Sequence, residues 1–515
     1  MSYCESIYRT VRRKTREVMV GKVGVGGKNP IRVQSMTTSN TRDVDATIEQ
    51  IVRLADAGCE IARVTVQGKK EAEACEGIKN GLLQRGYEIP LVADIHFYPP
   101  AAFLAADFVD KVRINPGNYA DRRAQFKTIE YDDASYAREL EQIEEEFSPL
   151  VEKCKQRKIA MRIGTNHGSL SDRIMSRYGD NPAGMVESAL EFARICRKLD
   201  YHDFLFSMKS SNPLVMIEAY RLLCAEMARI GWDYPLHLGV TEAGEGEDGR
   251  VKSAIGIGAL LLDGIGDTIR VSLTEDPWNE IEPCRELISF FEEKEGKGIE
   301  PFEEKHRKER RAVRPSSLHR DGEVLTEEQL KDSDYIVFRP RTSPLHETRR
   351  FIEELKQKKN EIPVVLHLTH DRLIPAAAEA GAILCDRLVE GICIQGAPES
   401  WGFSILQGAR MRMTKPDYIS CPGCGRTLFN LQEVSRRIRE KTSHLVGVKI
   451  AIMGCIVNGP GEMADADFGY VGSRPGKIDL YVGKNCVERN IDHADADQRL
   501  IELIKAHGRW IDERL

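Results

Sequence analysis

No apolar run in this 515-residue chain approaches the roughly 20 residues that a membrane-spanning helix needs, so no helical span is expected. An excess of one charge is missing too: the formal net charge is -6, which gives no reason to expect nucleic acid or an anionic membrane as partner. The N-terminus lacks the apolar core of a secretory signal, and its basic run from Arg9 to Arg16, beside Glu5, reads as a solvated surface. A disulfide framework is absent as well. The thirteen cysteines are an odd number, and most, such as Cys59, Cys75, Cys196 and Cys224, sit singly in apolar patterns as small core hydrophobes. A reducing, cytoplasmic setting is expected.

What is present is enough apolar sequence, 41% of residues, for two or three domains. Over the first 280 or so residues, short apolar runs ending in polar residues or glycine alternate with helical patterns. Eight such runs start at Ile31, Ile61, Leu91, Lys111, Ala160, Phe204, Leu236 and Thr268. Between them lie amphipathic stretches such as Asp45 to Ala57 and Met185 to Leu199, with apolar residues every three to four positions. Eight strand-helix units in this length fit an α/β (β/α)8 TIM barrel, whose typical size is about 250 residues. A doubly wound open sheet seldom carries eight such regular units. The segment between Gly117 and Ala160, with a helix expected from Tyr136 to Gln156, exceeds a minimal barrel.

A barrel of this kind works at the C-terminal ends of its strands. Those positions hold Arg63, Asp94, Arg113, Asn115, Arg162, Asn166, Lys209, Glu242, Arg270 and Ser272. Rim salt bridges account for some of them, but five cations on five strands repel one another unless an anion neutralises them. A multiply charged ligand is the economical explanation, and the arginine fork suits phosphate oxygens. Gly21 to Gly27 lacks the strand-loop-helix context of a phosphate loop and reads as a hairpin turn. Gly244 to Gly249, rich in acidic residues, reads as a flexible loop at the barrel mouth.

From Glu292 to Arg320 the composition turns to Lys, Arg and Glu, the mark of an exposed connector. A small α/β segment follows, with strands at Tyr335 to Phe338 and Val364 to Leu368 and a helix from about His346 to Lys358. A structural spacer or docking element is the default reading, with His367 and His370 as ordinary polar residues. The expected domains are 1–290, 291–402 and 403–515.

The last of these holds Cys421-Pro422-Gly423-Cys424 and Gly454-Cys455-Ile456-Val457-Asn458-Gly459-Pro460-Gly461-Glu462. A C-x-x-C pair brings two sulfurs to one metal centre, and Cys455 with Glu462 can complete four ligands. Thiolates favour iron–sulfur clusters or zinc, and an oxygen ligand in fourth place marks a site built to be opened. The rival is a structural zinc with Cys486 or His444 as the fourth ligand, in a barrel lyase or isomerase acting on a phosphorylated substrate.

These blocks, with Val33-Gln34-Ser35-Met36-Thr37, Val92 to Phe97, Arg113 to Asn118, Arg162-Ile163-Gly164, Thr241 to Gly244 and Arg270 to Leu273, occur in the order of a known family. The chain closely resembles the 4-hydroxy-3-methylbut-2-enyl diphosphate synthases of the non-mevalonate isoprenoid pathway, in their long three-domain form. The resemblance implies a C-terminal α+β domain with a [4Fe-4S] cluster on Cys421, Cys424, Cys455 and Glu462. It implies 2-C-methyl-D-erythritol 2,4-cyclodiphosphate as substrate, its diphosphate gripped by Arg63, Arg113, Arg162, Lys209 and Arg270. Asn115, Asn166 and Ser272 would add hydrogen bonds, and Asp94 and Glu242 would face the carbon skeleton. Glu242, Glu462 and Asp94 are the candidate catalytic residues. Opening the ring and expelling a hydroxyl takes two electrons that no side chain supplies, so a ferredoxin or flavodoxin donor is expected. A homodimer is expected too, although about 110 residues between barrel and cluster domain leave open whether a chain closes its own barrel.

Overall fold

The structure, a computed structural model, describes residues 3–121, 129–306, 309–331, 334–457, 459–463 and 465–512. Asn458, in the second cysteine motif, lies outside the described residues. Eight parallel strands form a ring in chain order: Arg32–Met36, Ile61–Thr65, Leu91–Ile95, Lys111–Ile114, Ala160–Asn166, Phe204–Lys209, His237–Leu238 and Thr268–Ile269. A bridge between Phe206 and Leu236 closes it, giving the expected barrel. The surrounding helices keep the 3.6-residue pattern. Val44–Ala57 buries Ile48, Ile51 and Leu54 on one face, is capped by Asp43, and ends at Gly58 with φ 97°. The helix expected from Tyr136 runs from Asp133 to Arg157.

Successive strand residues alternate between the barrel interior and the helices. At the base, Ile61, Val92, Ala160 and Leu205 pack on Val18, Val20 and Val25. These valines belong to the antiparallel hairpin of Glu17–Val20 and Val23–Gly26, so the glycine-rich turn serves a plug across the barrel floor. Two residues further along the same four strands stand Arg63, Asp94, Arg162 and Ser207, where the lining turns polar.

The basic N-terminal run is a solvated surface only at Arg9 and Lys14. Arg12 pairs with Asp267 at 3.1 Å, Arg16 with Asp233 at 2.5 Å, and Arg13 donates to the carbonyls of Trp232 and Tyr234 at 3.1 Å each. The loops at the barrel base present carbonyls and carboxylates that need donors, and this run supplies them.

The expected loop at Gly244 to Gly249 is also corrected, because the helix Gly246–Leu262 begins inside it. Its acidic residues sit at the positive helix end and are tied to the rest of the chain. Glu245 pairs with Arg439 at 2.9 Å, Asp248 with Lys415 at 2.5 Å, and Glu247 accepts from Ser404 Oγ at 2.6 Å. All three partners lie more than 150 residues away in sequence, so the glycines alone suggested mobility.

After the helix Ile281–Lys294, a largely exposed connector leads to a four-stranded parallel sheet in the order Glu323–Val324, Gly391–Gln395, Val364–Thr369 and Ile336–Phe338. His367 and His370 are side chains of ordinary polar contacts, with Glu327 at 3.4 Å and Glu379 at 2.9 Å. The alanine-rich helix Leu373–Cys385 lies against the barrel helix Gly246–Leu262. A Cβ added to Gly258 would fall 2.4 Å from Ala378 Cβ, and one added to Gly381 would fall 2.5 Å from Ile255 Cγ1. Small residues on both sides thus bring the two backbones together. Arg221 and Asp263 of the barrel and Arg349 and Asp386 of the middle segment close a ring of four ion pairs of 2.6 to 3.0 Å. The buried apolar residues of barrel and middle segment form one continuous core.

The C-terminal sheet runs Asp417–Ser420, Lys449–Met453, Phe468–Arg474, Lys477–Val482 and Asn485–Asp492, the first three strands parallel and the last two antiparallel. Helices Leu431–Thr442 and His493–Ala506 cover it, around a core separate from that of the barrel. Among the described residues, no helix is long and apolar enough to cross a membrane.

Candidate active site

One cavity at the barrel mouth is lined from both sides. The barrel contributes Arg63, Arg113, Arg162, Lys209 and Arg270, and the C-terminal segment contributes Cys421, Cys424 and Cys455. Each cation is at least nine-tenths buried. Two are neutralised within the chain. Arg113 pairs with Asp94 at 2.7 Å, and Arg270 holds both oxygens of Glu280 at 2.8 and 2.9 Å. The other three make no ion pair among the described residues. Arg63 donates to the Met36 sulfur at 2.9 and 3.0 Å, a weak acceptor in place of a carboxylate. Arg162 reaches only Ser207 Oγ at 3.4 Å, and its Nε is buried without a partner. Burial, opposed by Asp94 and reinforced by the neighbouring arginines, brings Arg63 down to about 9. Burial and the adjacent arginines hold Arg162 and Lys209 well below their ordinary values. Like charges held together without an anion produce that pattern.

The C-terminal segment closes the mouth of its own barrel. Arg426 donates to Asp94 Oδ2 at 2.8 Å, Thr274 Oγ1 to the Cys421 carbonyl at 2.9 Å, and Lys252 pairs with Asp417 at 2.5 Å. Strand-like pairing joins Ala243 to Ser420. The two glycines Gly168 and Gly461 meet backbone to backbone: a Cβ on Gly461 would lie 1.4 Å from the Gly168 carbonyl oxygen. This close approach sets the short helix Gly459–Glu462 over the barrel rim.

Cys421, Cys424 and Cys455 form no disulfide among the described residues. The Cys421 sulfur accepts from the Gly454 N–H at 3.3 Å and the Cys424 sulfur from the Arg426 N–H at 3.5 Å. Burial pushes the Cys421 thiol up, and the neighbouring Cys455 adds to it. Among the described residues, no three His, Cys, Asp or Glu are drawn close enough to hold a metal ion. The donors nevertheless suit a polynuclear thiophilic centre: three unoxidised thiols face one cavity, ringed by cations that offset thiolate charge. Cys486 and His444 do not line that cavity. Cys486 faces a neighbouring one, and His444 stacks edge-on against Trp510, which removes the zinc set that used them.

Glu462 is buried and accepts from Thr241 Oγ1 at 3.0 Å through Oε2, and among the described residues its Oε1, with Asn166 and Glu242 close by, has no hydrogen-bond partner of good geometry. Burial, and then the charge of Glu242, push its carboxyl well above the carboxylate range. Burial raises Glu242 in the same way. Glu242 holds φ at +49°, a strained backbone for a residue with a side chain, and its Oε2 likewise has no hydrogen-bond partner of good geometry among the described residues. Two buried carboxyls so placed cannot both ionise without a cation beside them.

The sequence-derived positions mostly converge here. Asn166 and Ser272 line the cavity, Asn166 Oδ1 accepting from Arg113 at 3.2 Å. Asn115 does not. Its strand ends at Ile114 and Pro116 begins a helical turn, so Asn115 is buried off the cavity with Nδ2 donating to Ser169 Oγ at 2.7 Å. Asp94 lines the cavity, but Arg113 and Arg426 occupy its two oxygens, and against burial Arg113, Arg63 and His96 hold its carboxyl well below the usual range. It anchors guanidinium groups rather than presenting a free acid. Sequence reasoning passed over His96, whose Nε2 lies 2.7 Å from Arg113 Nη1, and Arg426. His96 shares a strand face with Asp94 two residues earlier, a detectable signal; Arg426 has none beyond its place after the C-x-x-C.

Two family models match the chain. The GcpE TIM-barrel domain covers residues 15–285 and the GcpE protein C-terminal domain residues 417–506. A 4-hydroxy-3-methylbut-2-en-1-yl diphosphate synthase (flavodoxin) of Protochlamydia amoebophila is 54% identical, over 99% of this chain and 98% of that protein. The chloroplastic 4-hydroxy-3-methylbut-2-en-1-yl diphosphate synthase (ferredoxin) of Oryza sativa is 49% identical, over 99% of this chain and 89% of its own. A flavodoxin-named synthase of Akkermansia muciniphila is 48% identical over the full length of both.

Proposed function

This chain belongs to the GcpE family of 4-hydroxy-3-methylbut-2-en-1-yl diphosphate synthases, and from that premise we propose that it converts 2-C-methyl-D-erythritol 2,4-cyclodiphosphate by reductive ring opening and dehydration. The observation that carries the reading is the meeting, in one cavity, of three cations that have no carboxylate partner among the described residues and three cysteines outside any disulfide. A diphosphate supplies the anion that Arg63, Arg162 and Lys209 lack, with Arg113 and Arg270 completing the grip. As the ring opens, charge grows on the diphosphate oxygen that leaves, and fixed guanidinium groups stabilise it without rearranging. Asn166 and Ser272 orient the substrate.

Cys421, Cys424, Cys455 and Glu462 are the residues that would hold a [4Fe-4S] cluster. Bound there, such a cluster supplies the two electrons one at a time, fed by a flavodoxin- or ferredoxin-type donor of the kind named in the relatives. Glu242, on the cavity wall, is positioned to hold a proton beside the departing hydroxyl. The lid of Cys421 to Arg426 excludes water from the site, which strengthens each of these charge interactions. Since a chain's own C-terminal segment covers its own barrel, the homodimer expected from the resemblance is not needed to complete the site. Substrate binding by 1–290, support by 291–402, cluster binding by 403–515 and a cytoplasmic location belong to the same proposal.

The test is anaerobic purification, an absorption spectrum, and assay with the cyclic diphosphate and a one-electron reductant. A broad band near about 400 nm with turnover is the expected result. A colourless, zinc-loaded protein, or a coloured one inert toward the cyclic diphosphate, would overturn the reading.

A further inference from the structure

Below the cavity lies a buried polar layer that the proposed chemistry does not use. Lys111 stands two residues before Arg113 on the same strand face, pointing into the barrel, with no measurable exposure. Among the described residues its Nζ has one hydrogen-bond partner, Gln34 Oε1 at 3.3 Å, and no carboxylate. Around it are Arg162 and Arg63, from two of the four strands that pack on the hairpin plug, and His237 from the seventh strand. His237 Nδ1 lies 3.4 Å from Thr268 Oγ1, while its Nε2, Gln34 Nε2 and Arg162 Nε are buried without partners. Tyr220 contributes only its hydroxyl, donated to the His237 carbonyl. Lys111 is thus surrounded by cations and neutral groups with spare hydrogen-bonding capacity; Asp94, level with Arg63 and Arg162, is the acid of the layer above and is held by Arg113 and Arg426.

Arginine keeps its proton in any protein environment, whereas lysine sheds one when buried among cations. The repulsion in this barrel is thus relieved at the lysines. Burial and the charges of Arg162 and Arg63 hold Lys111 well below its ordinary value. An anion at the mouth reverses the sign of the local field, and the group one layer down responds without touching the ligand.

We propose that Lys111 is a proton-uptake residue: it is uncharged while the mouth is empty and gains a proton when a diphosphate group fills it. One proton passes from solvent to Nζ and forms an N–H bond there, and no bond to the ligand forms or breaks. Lys111 is a positioning residue in this scheme. Its charge returns beneath Arg162 and draws the bound anion down against the arginines, so affinity depends on pH through a residue outside the contact surface. The inference rests on the anion-binding reading of the mouth.

The experiment is titration calorimetry of the full-length, anaerobically purified protein with inorganic diphosphate, in buffers of different ionisation enthalpy at one pH. The wild type should bind with uptake of about one proton or more, and its dissociation constant should rise up to about tenfold per pH unit above neutrality. K111M, and K111Q as a second variant in case the first folds poorly, should still bind, with uptake lowered by about one proton and a flatter pH profile. Binding by the wild type without proton uptake overturns the inference and leaves the anion site standing. Uptake undiminished in a folded K111M or K111Q overturns it as well, by placing the proton elsewhere. Absence of diphosphate binding by the wild type overturns the anion site itself.

Discussion

Arg426, two residues past Cys424, donates through Nη2 to Asp94 Oδ2 at 2.8 Å, while Arg113 holds Asp94 Oδ1 at 2.7 Å. One carboxylate thereby ties the cysteine loop to the cationic wall of the barrel. Replacing Arg426 by Gln leaves Asp94 its other partner, so the stability cost stays near about 1 to 3 kcal/mol. Closure of the loop suffers more, and a loss of at least about 100-fold in kcat/KM is expected. Thermal melts and steady-state assays on the same preparations check the split. A variant that keeps normal activity would show the tie to be structural only.

Glu462 is the oxygen donor in an otherwise sulfur-rich set. Glu462→Cys should retain a band near about 400 nm yet lose turnover by at least about 100-fold, because a fourth thiolate closes the position that the carboxylate leaves exchangeable. Cys421→Ala should lose the band. Normal turnover in the Glu462→Cys protein would count against an open site.

Arg162 is buried to 1% exposure without an ion pair, among like charges. Arg162→Met should therefore stabilise the ligand-free protein by about 1 to 3 kcal/mol, read from denaturant titration. The same change should raise KM for the cyclic diphosphate about tenfold or more by removing one charged contact. A destabilised variant would mean that the mouth charges are already neutralised in the free protein.

Burial first, and then the charge of Arg426, pull His96 from its ordinary 6.5 to about 3. Its folded pKa is depressed, so between pH 6.5 and about 3 the unfolded chain binds a proton that the folded one does not. Stability from this residue is complete above pH 6.5 and falls as the pH drops through that window. Melting temperatures at pH 7 and pH 5 should differ less in His96→Gln than in the wild type.

The barrel was readable because inward and outward residues alternate within apolar runs that end in polar ones. The same alternation put Arg63, Arg113 and Arg162 on the list of mouth residues. What the order of residues does not carry is partnership across elements. Arg113 and Arg270 look like Arg63 and Arg162 in sequence, yet Asp94 and Glu280 neutralise the first two. Asn115 fits the strand pattern and is turned away by Pro116. The glycines of 244–249 suggested mobility because the bonds of Glu245, Glu247 and Asp248 reach residues past 400. The arginines of the N-terminus read as solvated for the same reason. The alanine-rich helix Leu373–Cys385 passed unnoticed because an unbroken apolar stretch has no face; only its contact with Gly258 gives it one.

The distribution of apolar cores sets how the molecule comes apart. Barrel and middle segment share one core and interlock through Gly258, Ala378, Gly381 and Ile255, so neither can leave without exposing the other. The C-terminal sheet keeps a core of its own and holds the barrel through hydrogen bonds and ion pairs at the rim. Separating it costs polar contacts that water can replace. The chain therefore has a body with a shared core and a cover with its own, and mild denaturant should release the cover before the body unfolds.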